Sequence, residues 1–450
     1  MTFPKDFIWA AASASFQIEG AANEDGKGLS VWDSFCREPG KVYCGNTGDI
    51  ACDHYQRFEE DCRIMKDIGL KAYRLSISWP RVIPNGTGKI NEKGVEFYDR
   101  LIDKLLEYGI EPWVTLFHWD YPQSLFEKDG WLNPQSSDWF AEYTKVIVDR
   151  LSNRVSHWMP QNEPQCFIDF GHRTGYHAPG LKLEFPQILT AAHNSLLAHG
   201  KSVQIIRANA KLKPVIGTAL VGLPAIPTSE NFINVEVARR GMFAVFDRSF
   251  MNNSWFADPV LLGKYPADGL KKFENEMPKF SDEDMKTIFQ PLDFIGLNIY
   301  RGWKVRPSLK TGAEIVPETE GTPLTTMDWE VTPEALYWGP KFYYERYKLP
   351  IFITENGMAN CDWVHADGKV HDPQRIDFLT KYLKHYKRAI DEGIPCKGYF
   401  QWSIMDNFEW AYGYSRRFGM IHIDYQTQKR TLKDSAYWYK DLIASNGANL

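Results

Sequence analysis

No apolar run in this 450-residue chain is long enough to span a bilayer. The start, Met1-Thr-Phe-Pro-Lys-Asp-Phe7, lacks the charged head, apolar stretch and cleavage site of a signal peptide, so a cytoplasmic protein is expected. Clustered Lys and Arg are missing as well. With a net charge of −5 the chain has no footprint for a phosphate backbone, which argues against nucleic acid as a partner. Seven cysteines occur without a CxxC pair, and this odd, scattered set reads as free thiols in a reducing compartment. No Gly/Ser/Pro-rich linker, internal repeat or low-complexity tract divides the chain, so residues 1–450 are expected to form a single domain.

Motif absences narrow the chemistry. Neither GxGxxG nor GxxxxGK[ST] occurs, which removes the usual glycine cradles for dinucleotides and nucleotide phosphates. HExxH is absent, and His118 and His177 are too isolated to suggest a metal site. No GxSxG elbow supports serine-hydrolase chemistry. The sequence therefore predicts neither cofactor nor metal.

What the chain does contain is alternation. Short apolar runs at Phe7–Ala12, Lys71–Ser76, Pro112–Phe117, Val155–Met159, Val215–Leu220, Asp293–Ile299, Pro350–Thr354 and Lys397–Gln401 read as strands. Amphipathic stretches at His54–Ile68, Asn91–Tyr108, Asp138–Leu151, Phe185–Ala208, Pro333–Tyr347, Pro373–Glu392 and Leu432–Ile443 read as helices. Parallel strands need crossover connections, and near-continuous apolar strands such as Ile351-Phe-Ile need cover on both faces. Eight such units without a glycine-rich turn favour an α/β fold of the (β/α)8 barrel type over an open doubly wound sheet. Asp53, just before the first long helix, is expected to cap it. Trp9, Trp79 and Trp113 lie in or beside strands and read as packing.

Polar residues gather where these strands end. Gln17 and Glu19 follow the first; His118, Trp119 and Asp120 follow the third; Asn162 and Glu163 follow the fourth. Asn298 and Tyr300 follow the sixth, Glu355 and Asn356 the seventh, and Gln401 and Trp402 the eighth. In a barrel those ends converge on one face, where active sites lie. Two glutamates, amides and indoles on one face suit sugars, whose hydroxyls take paired hydrogen bonds and whose C–H faces stack on rings.

The segments Phe16-Gln17-Ile18-Glu19-Gly20, Tyr73-Arg74-Leu75-Ser76-Ile77-Ser78-Trp79-Pro80-Arg81, His118-Trp119-Asp120, Asn162-Glu163-Pro164, Ile353-Thr354-Glu355-Asn356-Gly357 and Asn407-Phe408-Glu409-Trp410 resemble glycoside hydrolase family 1, the β-glucosidase family. They stand in family order over nearly the whole chain. The resemblance implies a retaining β-glycosidase on a (β/α)8 barrel, with Glu355 as nucleophile and Glu163 as acid/base. Such a mechanism needs the two carboxyl groups about 5–5.5 Å apart. It further implies that Arg74, Tyr300 and Asn298 support the pair, that Gln17, His118, Trp119, Asn162, Glu409 and Trp410 grip the sugar, and that Trp402 forms a stacking floor. Trp329 and Phe418 fall on the leaving-group side and at the pocket edge. Small β-linked saccharides or glycosides are the expected partners.

Three departures stand out. Pro160-Gln161 precedes Asn162, and a proline is unusual in a central strand, so an irregular end to the fourth strand is expected. Ile299 replaces the aromatic found between the family's Asn and Tyr, and Asp328 stands where the family often has Gly. Glu163 is not the glutamine of thioglucosidases. An intact Glu409-Trp410 would repel a sugar phosphate, which points to unphosphorylated β-glucosides, with galactosides and fucosides also open. A transglycosylase using the same intermediate and a silent sugar-binding relative are the competing readings.

Overall fold

The computed structural model describes residues 2–308 and 312–450. Eight parallel strands set its frame: β1 (Ile8–Ala12), β2 (Ala72–Ser76), β3 (Glu111–Phe117), β4 (His157–Gln161), β5 in two pieces (Val215–Ile216 and Leu220–Val221), β6 (Ile295–Asn298), β7 (Ile351–Asn356) and β8 (Cys396–Trp402). Each of β1 to β4 pairs with the next in sequence. The first piece of β5 pairs with β4 through His157–Val215 and Trp158–Ile216, and the second pairs with β6 through Leu220–Leu297 and Val221–Asn298. From β6 the order runs through β7 and β8, and β8 returns to β1 from Ile8–Gly398 to Ala12–Trp402. The split strand therefore closes the ring, and the architecture is the expected (β/α)8 barrel.

Side chains of successive strand residues point to opposite faces, and the alternation separates two cores. Ala10, Ala12, Ala72, Trp113, Met159, Phe294, Phe352 and Phe400 fill the inside of the barrel. Trp9, Ala11, Tyr73, Val114, Trp158, Leu297 and Ile353 belong to the larger cluster beneath the helices. Inside, the Trp113 ring lies 5.3, 5.0 and 4.9 Å from those of Phe294, Phe352 and Phe400, and alanines on β1 and β2 leave it room. Trp9, Trp79 and Trp113 are all buried, as packing residues should be.

Around the ring run α1 (His54–Ile68), α2 (Glu92–Glu107), α3 (Ser136–Leu151), α4 (Phe185–Asn209), α5 (Asp282–Ile288), α6 (Ala335–Tyr347), α7 (Pro373–Asp391) and α8 (Asp434–Ala444). Gly69 ends α1 at φ 91°, a conformation a side chain would strain, and turns the chain directly towards β2. Asp53 corrects its expected role. It precedes α1 in the left-handed region (φ 52°), makes no capping bond, and pairs with Arg57 Nε at 3.1 Å.

The fourth strand also differs from expectation. It begins at His157 and runs through Pro160, with Met159 opposite Thr115 and Gln161 opposite Phe117. Pro160 lies past the last registered pair with β5, where the ladder least needs its missing amide. The sequence did not suggest the three-stranded sheet of Ala225–Pro227, Trp303–Ser308 and Gly312–Ile315, nor the helices between residues 232 and 273. These elements are short and carry little periodic signal.

Candidate active site

Two carboxyl side chains reach the upper end of the barrel through local departures from regular backbone. Pairing of β7 shifts register between Ile353 and Glu355 against β6, which delivers Glu355 into the barrel mouth. Glu163, just past β4, adopts φ 46° and ψ 65°, and its amide donates to Ala219 O at 2.7 Å. A left-handed non-glycine residue costs of order 1 kcal/mol, a strain characteristic of functional positions. Pro164 then opens a one-turn helix that carries Cys166.

Each carboxyl oxygen has its own partner. Arg74 Nη1 donates to Glu355 Oε1 at 2.6 Å, and the Tyr300 hydroxyl donates to Glu355 Oε2 at 2.7 Å. Asn298 Nδ2 donates to Glu163 Oε1 at 2.8 Å, and the Cys166 thiol donates to Glu163 Oε2 at 3.2 Å. Arg74, fully buried on β2, also donates to Thr115 Oγ1, Thr354 O and Asn162 Oδ1 at 3.1, 3.2 and 2.6 Å. Thr354 Oγ1 donates to Asn298 Oδ1 at 2.7 Å, which sets the Asn298 amide with its nitrogen towards Glu163.

The same chain of donors fixes His118. Asn162 Oδ1 accepts from both Arg74 and Asn298, so Asn162 Nδ2 must donate to His118 Nε2, 3.0 Å away. His118 therefore carries its proton on Nδ1. Burial and the nearby Arg74 charge push its pKa well below the usual range and keep it neutral. His118 Nδ1 and Gln17 Oε1 are buried without a hydrogen-bond partner among the described residues. One is a donor and the other an acceptor, and buried groups of this kind gain strongly from a polar ligand.

Electrostatics divides the carboxyl groups. Burial first, and then the charge of Glu355, push Glu163 up to about 8. Burial raises Glu355 too, and its net shift stays upward, but the Arg74 charge and the hydrogen bonds from Tyr300 and Arg74 offset part of the rise. Glu409 is likewise pushed up to about 8 by burial and by both other glutamates, and Gln17 Nε2 is 3.4 Å from its Oε2.

A cavity of about 310 Å³ opens above these groups. Eleven of the fourteen anticipated site residues line it: Glu163, Glu355, Asn298, Tyr300, His118, Trp119, Trp402, Glu409, Trp410, Phe418 and Trp329. Arg74, Gln17 and Asn162 stand behind the wall and act on it through the contacts above. The Trp402 and His118 rings stack at 5.7 Å and 21°. Trp119 Nε1 donates to Asn162 O at 3.0 Å, so this indole offers the cavity its ring rather than its N–H. His177, buried and pushed down to about 3, adds another ring to the wall. No group of three or more potential metal ligands occurs among the described residues.

Sequence reasoning missed Cys166, Arg301, Tyr176 and Tyr412 in this wall. Cys166 could have been found, because a helix opened by Pro164 brings the residue three beyond Glu163 back beside it. Arg301 adjoins Tyr300. Tyr176 and Tyr412 come from long loops with no local signal.

The model of the family described as "Glycosyl hydrolase family 1" matches residues 1–448. The chain belongs to that family. Within family 1 it is 46% identical over 446 residues to a 1,4-beta-D-glucan glucohydrolase of Thermotoga neapolitana, covering 99% of each chain. It is 40% identical over 472 residues to a bifunctional beta-D-glucosidase/beta-D-fucosidase of Bifidobacterium breve, covering 100% of this chain and 99% of the relative. The solved beta-glucosidase from Thermotoga maritima in complex with glucoimidazole superimposes with a TM-score of 0.91 at 44% identity, covering 99% of each chain. The family-1 assignment and the (β/α)8 fold therefore agree with the resemblance drawn from the six motifs.

Proposed function

We infer that this family-1 chain is a retaining β-glucosidase acting on unphosphorylated β-glucosides, with Glu355 as nucleophile and Glu163 as acid/base. The observation that carries the assignment is the asymmetry of the pair: among the described residues only Glu355 touches a cation, Arg74 at 2.6 Å. Glu355 is thus the carboxylate better able to stay ionised, while Glu163 is held protonated near neutrality. Glu355 attacks the anomeric carbon as Glu163 gives its proton to the leaving oxygen. Once Glu355 is an ester its charge is gone, and with it a major cause of the raised pKa of Glu163, which then takes a proton from water.

His118 Nδ1–H and Glu409 are the groups that grip glycone hydroxyls, with Gln17 and Asn162 behind them holding Glu409 and His118 in place, and Trp402 stacks under the ring. Trp329 and Phe418 serve the leaving group. The bifunctional name of the Bifidobacterium breve relative supports β-fucosides as a second substrate. We read residues 1–450 as one catalytic domain that needs no cofactor. Seven unpaired thiols, five of them buried, support a reducing, cytoplasmic setting. No helix among the described residues is long and apolar enough to cross a membrane.

Release of nitrophenol from nitrophenyl β-glucoside, β-fucoside and β-galactoside tests the reading, with the glucoside expected to turn over best. No turnover on any of the three would defeat it. Glu355→Ala should be inactive, with azide partly restoring turnover and yielding the inverted glycosyl azide.

A further inference from the structure

Arg301 stands apart in the cavity wall. It is the only lysine or arginine among the described lining residues, whereas the floor holds three carboxyl groups, Glu163, Glu355 and Glu409. Its guanidinium lies over the Trp303 ring at 4.3 Å and faces the Trp329 ring at 5.8 Å. No hydrogen bond or ion pair to it occurs among the described residues. Glu318 and Glu330 face it only at longer range, and partial burial works against its charge. An arginine nevertheless keeps its proton in proteins, so a half-buried cation without a contacting anion borders the site.

Such a cation is poised for a ligand. Packing of the guanidinium on the Trp303 indole restrains it already, so less side-chain freedom is lost when its fork meets a carboxylate. The Trp329 ring lies 5.3 Å from that of Tyr300, whose hydroxyl holds Glu355, so Trp329 spans the distance from the reacting centre to Arg301. A ring stacked on Trp329 could extend a substituent to the guanidinium. An anion carried at the other end of the substrate would instead meet the three floor carboxyls.

We propose that Arg301 makes this a site for β-glucosides of aromatic carboxylic acids, the aglycone ring resting on Trp329 and its carboxylate pairing with the Arg301 guanidinium. The orientation rests on the β-glucosidase reading, with the sugar at the glutamates and the aglycone at the mouth. Arg301 is on this account a residue that determines leaving-group specificity.

Binding tests it separately from turnover. The probes are the S-linked, non-hydrolysable β-glucosides of 4-mercaptobenzoate and 4-mercaptobenzamide, titrated into the full-length protein by calorimetry. The wild type should bind the carboxylate analogue more tightly than the amide. Arg301→Met should raise the Kd of the carboxylate analogue about ten-fold, the scale of one charge-assisted pair, and change that of the amide less than about two-fold. Arg301→Lys should restore part of the preference, and added salt should weaken it. Equal affinity of the wild type for both probes, an unchanged preference in Arg301→Met, or binding of neither probe would overturn the proposal. Failure to cleave the nitrophenyl glucoside, with the carboxylate preference intact, would instead count against the glucosidase reading alone.

Discussion

Replacing Arg74 by methionine tests whether one buried guanidinium decides which glutamate attacks. The substitution keeps a long side chain at a fully buried position but removes the only cation touching Glu355 among the described residues. Four hydrogen bonds disappear: to Glu355, Thr354 O, Asn162 and Thr115. Removing one partner of a buried pair typically costs about 3–5 kcal/mol, because the other charge is left uncompensated. If Glu355 is the nucleophile, that loss falls on its ionised form, and at about 1.4 kcal/mol per factor of ten kcat/KM should drop roughly 10²- to 4 × 10³-fold near neutrality. The sign of the pH effect follows. Activity needs Glu355 ionised, and Arg74 lowers its pKa, so the variant's acid limb should move to higher pH. The assay is kcat/KM for nitrophenyl β-glucoside across the acid and neutral range, with thermal unfolding as a check on folding. An equal loss at every pH, with the acid limb unmoved, would mean that Arg74 is only scaffolding and would refute the division of labour.

Cys166→Ala should move the alkaline limb of kcat/KM upward by about half a pH unit, since the thiol hydrogen bond lowers the pKa of Glu163, and Cys166→Ser should bring it back. An unmoved limb would make the thiol mere filling. Glu409 is held at about 8 when folded, against about 4.3 for an unfolded glutamate, so the folded protein keeps a proton there that the unfolded chain gives up. Its contribution to stability is present at low pH and is lost as pH rises through that window, so Glu409→Gln should gain up to about 5 kcal/mol over the wild type at the alkaline end while losing sugar affinity. Melting temperatures at the two ends of the window test this, and identical pH trends would contradict it. Trp113→Ala should cost about 3–5 kcal/mol in denaturant unfolding, because it empties the space between Phe294, Phe352 and Phe400. A loss below about 1 kcal/mol would mean that the barrel interior re-collapses around the gap.

The elements easiest to read in the sequence are those whose residues obey a local rule. Helix α1 begins and ends where the 3.6-residue period does, at His54 and Ile68, and α7 misses its expected end by one residue. Strand β4 starts two residues later than expected and runs two residues further, past a Pro160 that suggests a stop its neighbours make unnecessary. The Asp53 side chain matches a cap by type and position, yet the left-handed backbone before α1 turns it towards Arg57. The segments on either side of β6 were opaque because the short helices before it and the edge strands of the three-stranded sheet are stabilised by contacts, not by pattern.

The amino-acid order alone determined the repeating strand and helix units, the polar residues at the strand ends and the motifs that mark family 1, since each depends on neighbours in the chain. Only the tertiary structure decided how those residues act together. That Arg74 of β2 touches Glu355 of β7 rather than Glu163 follows from the closure and register of the ring. So does the position of His118's proton, which depends on donors arriving from β2 and β6 through Asn162. Burial, charge and hydrogen-bond direction depend on distances in space, and no local pattern encodes a distance across a barrel.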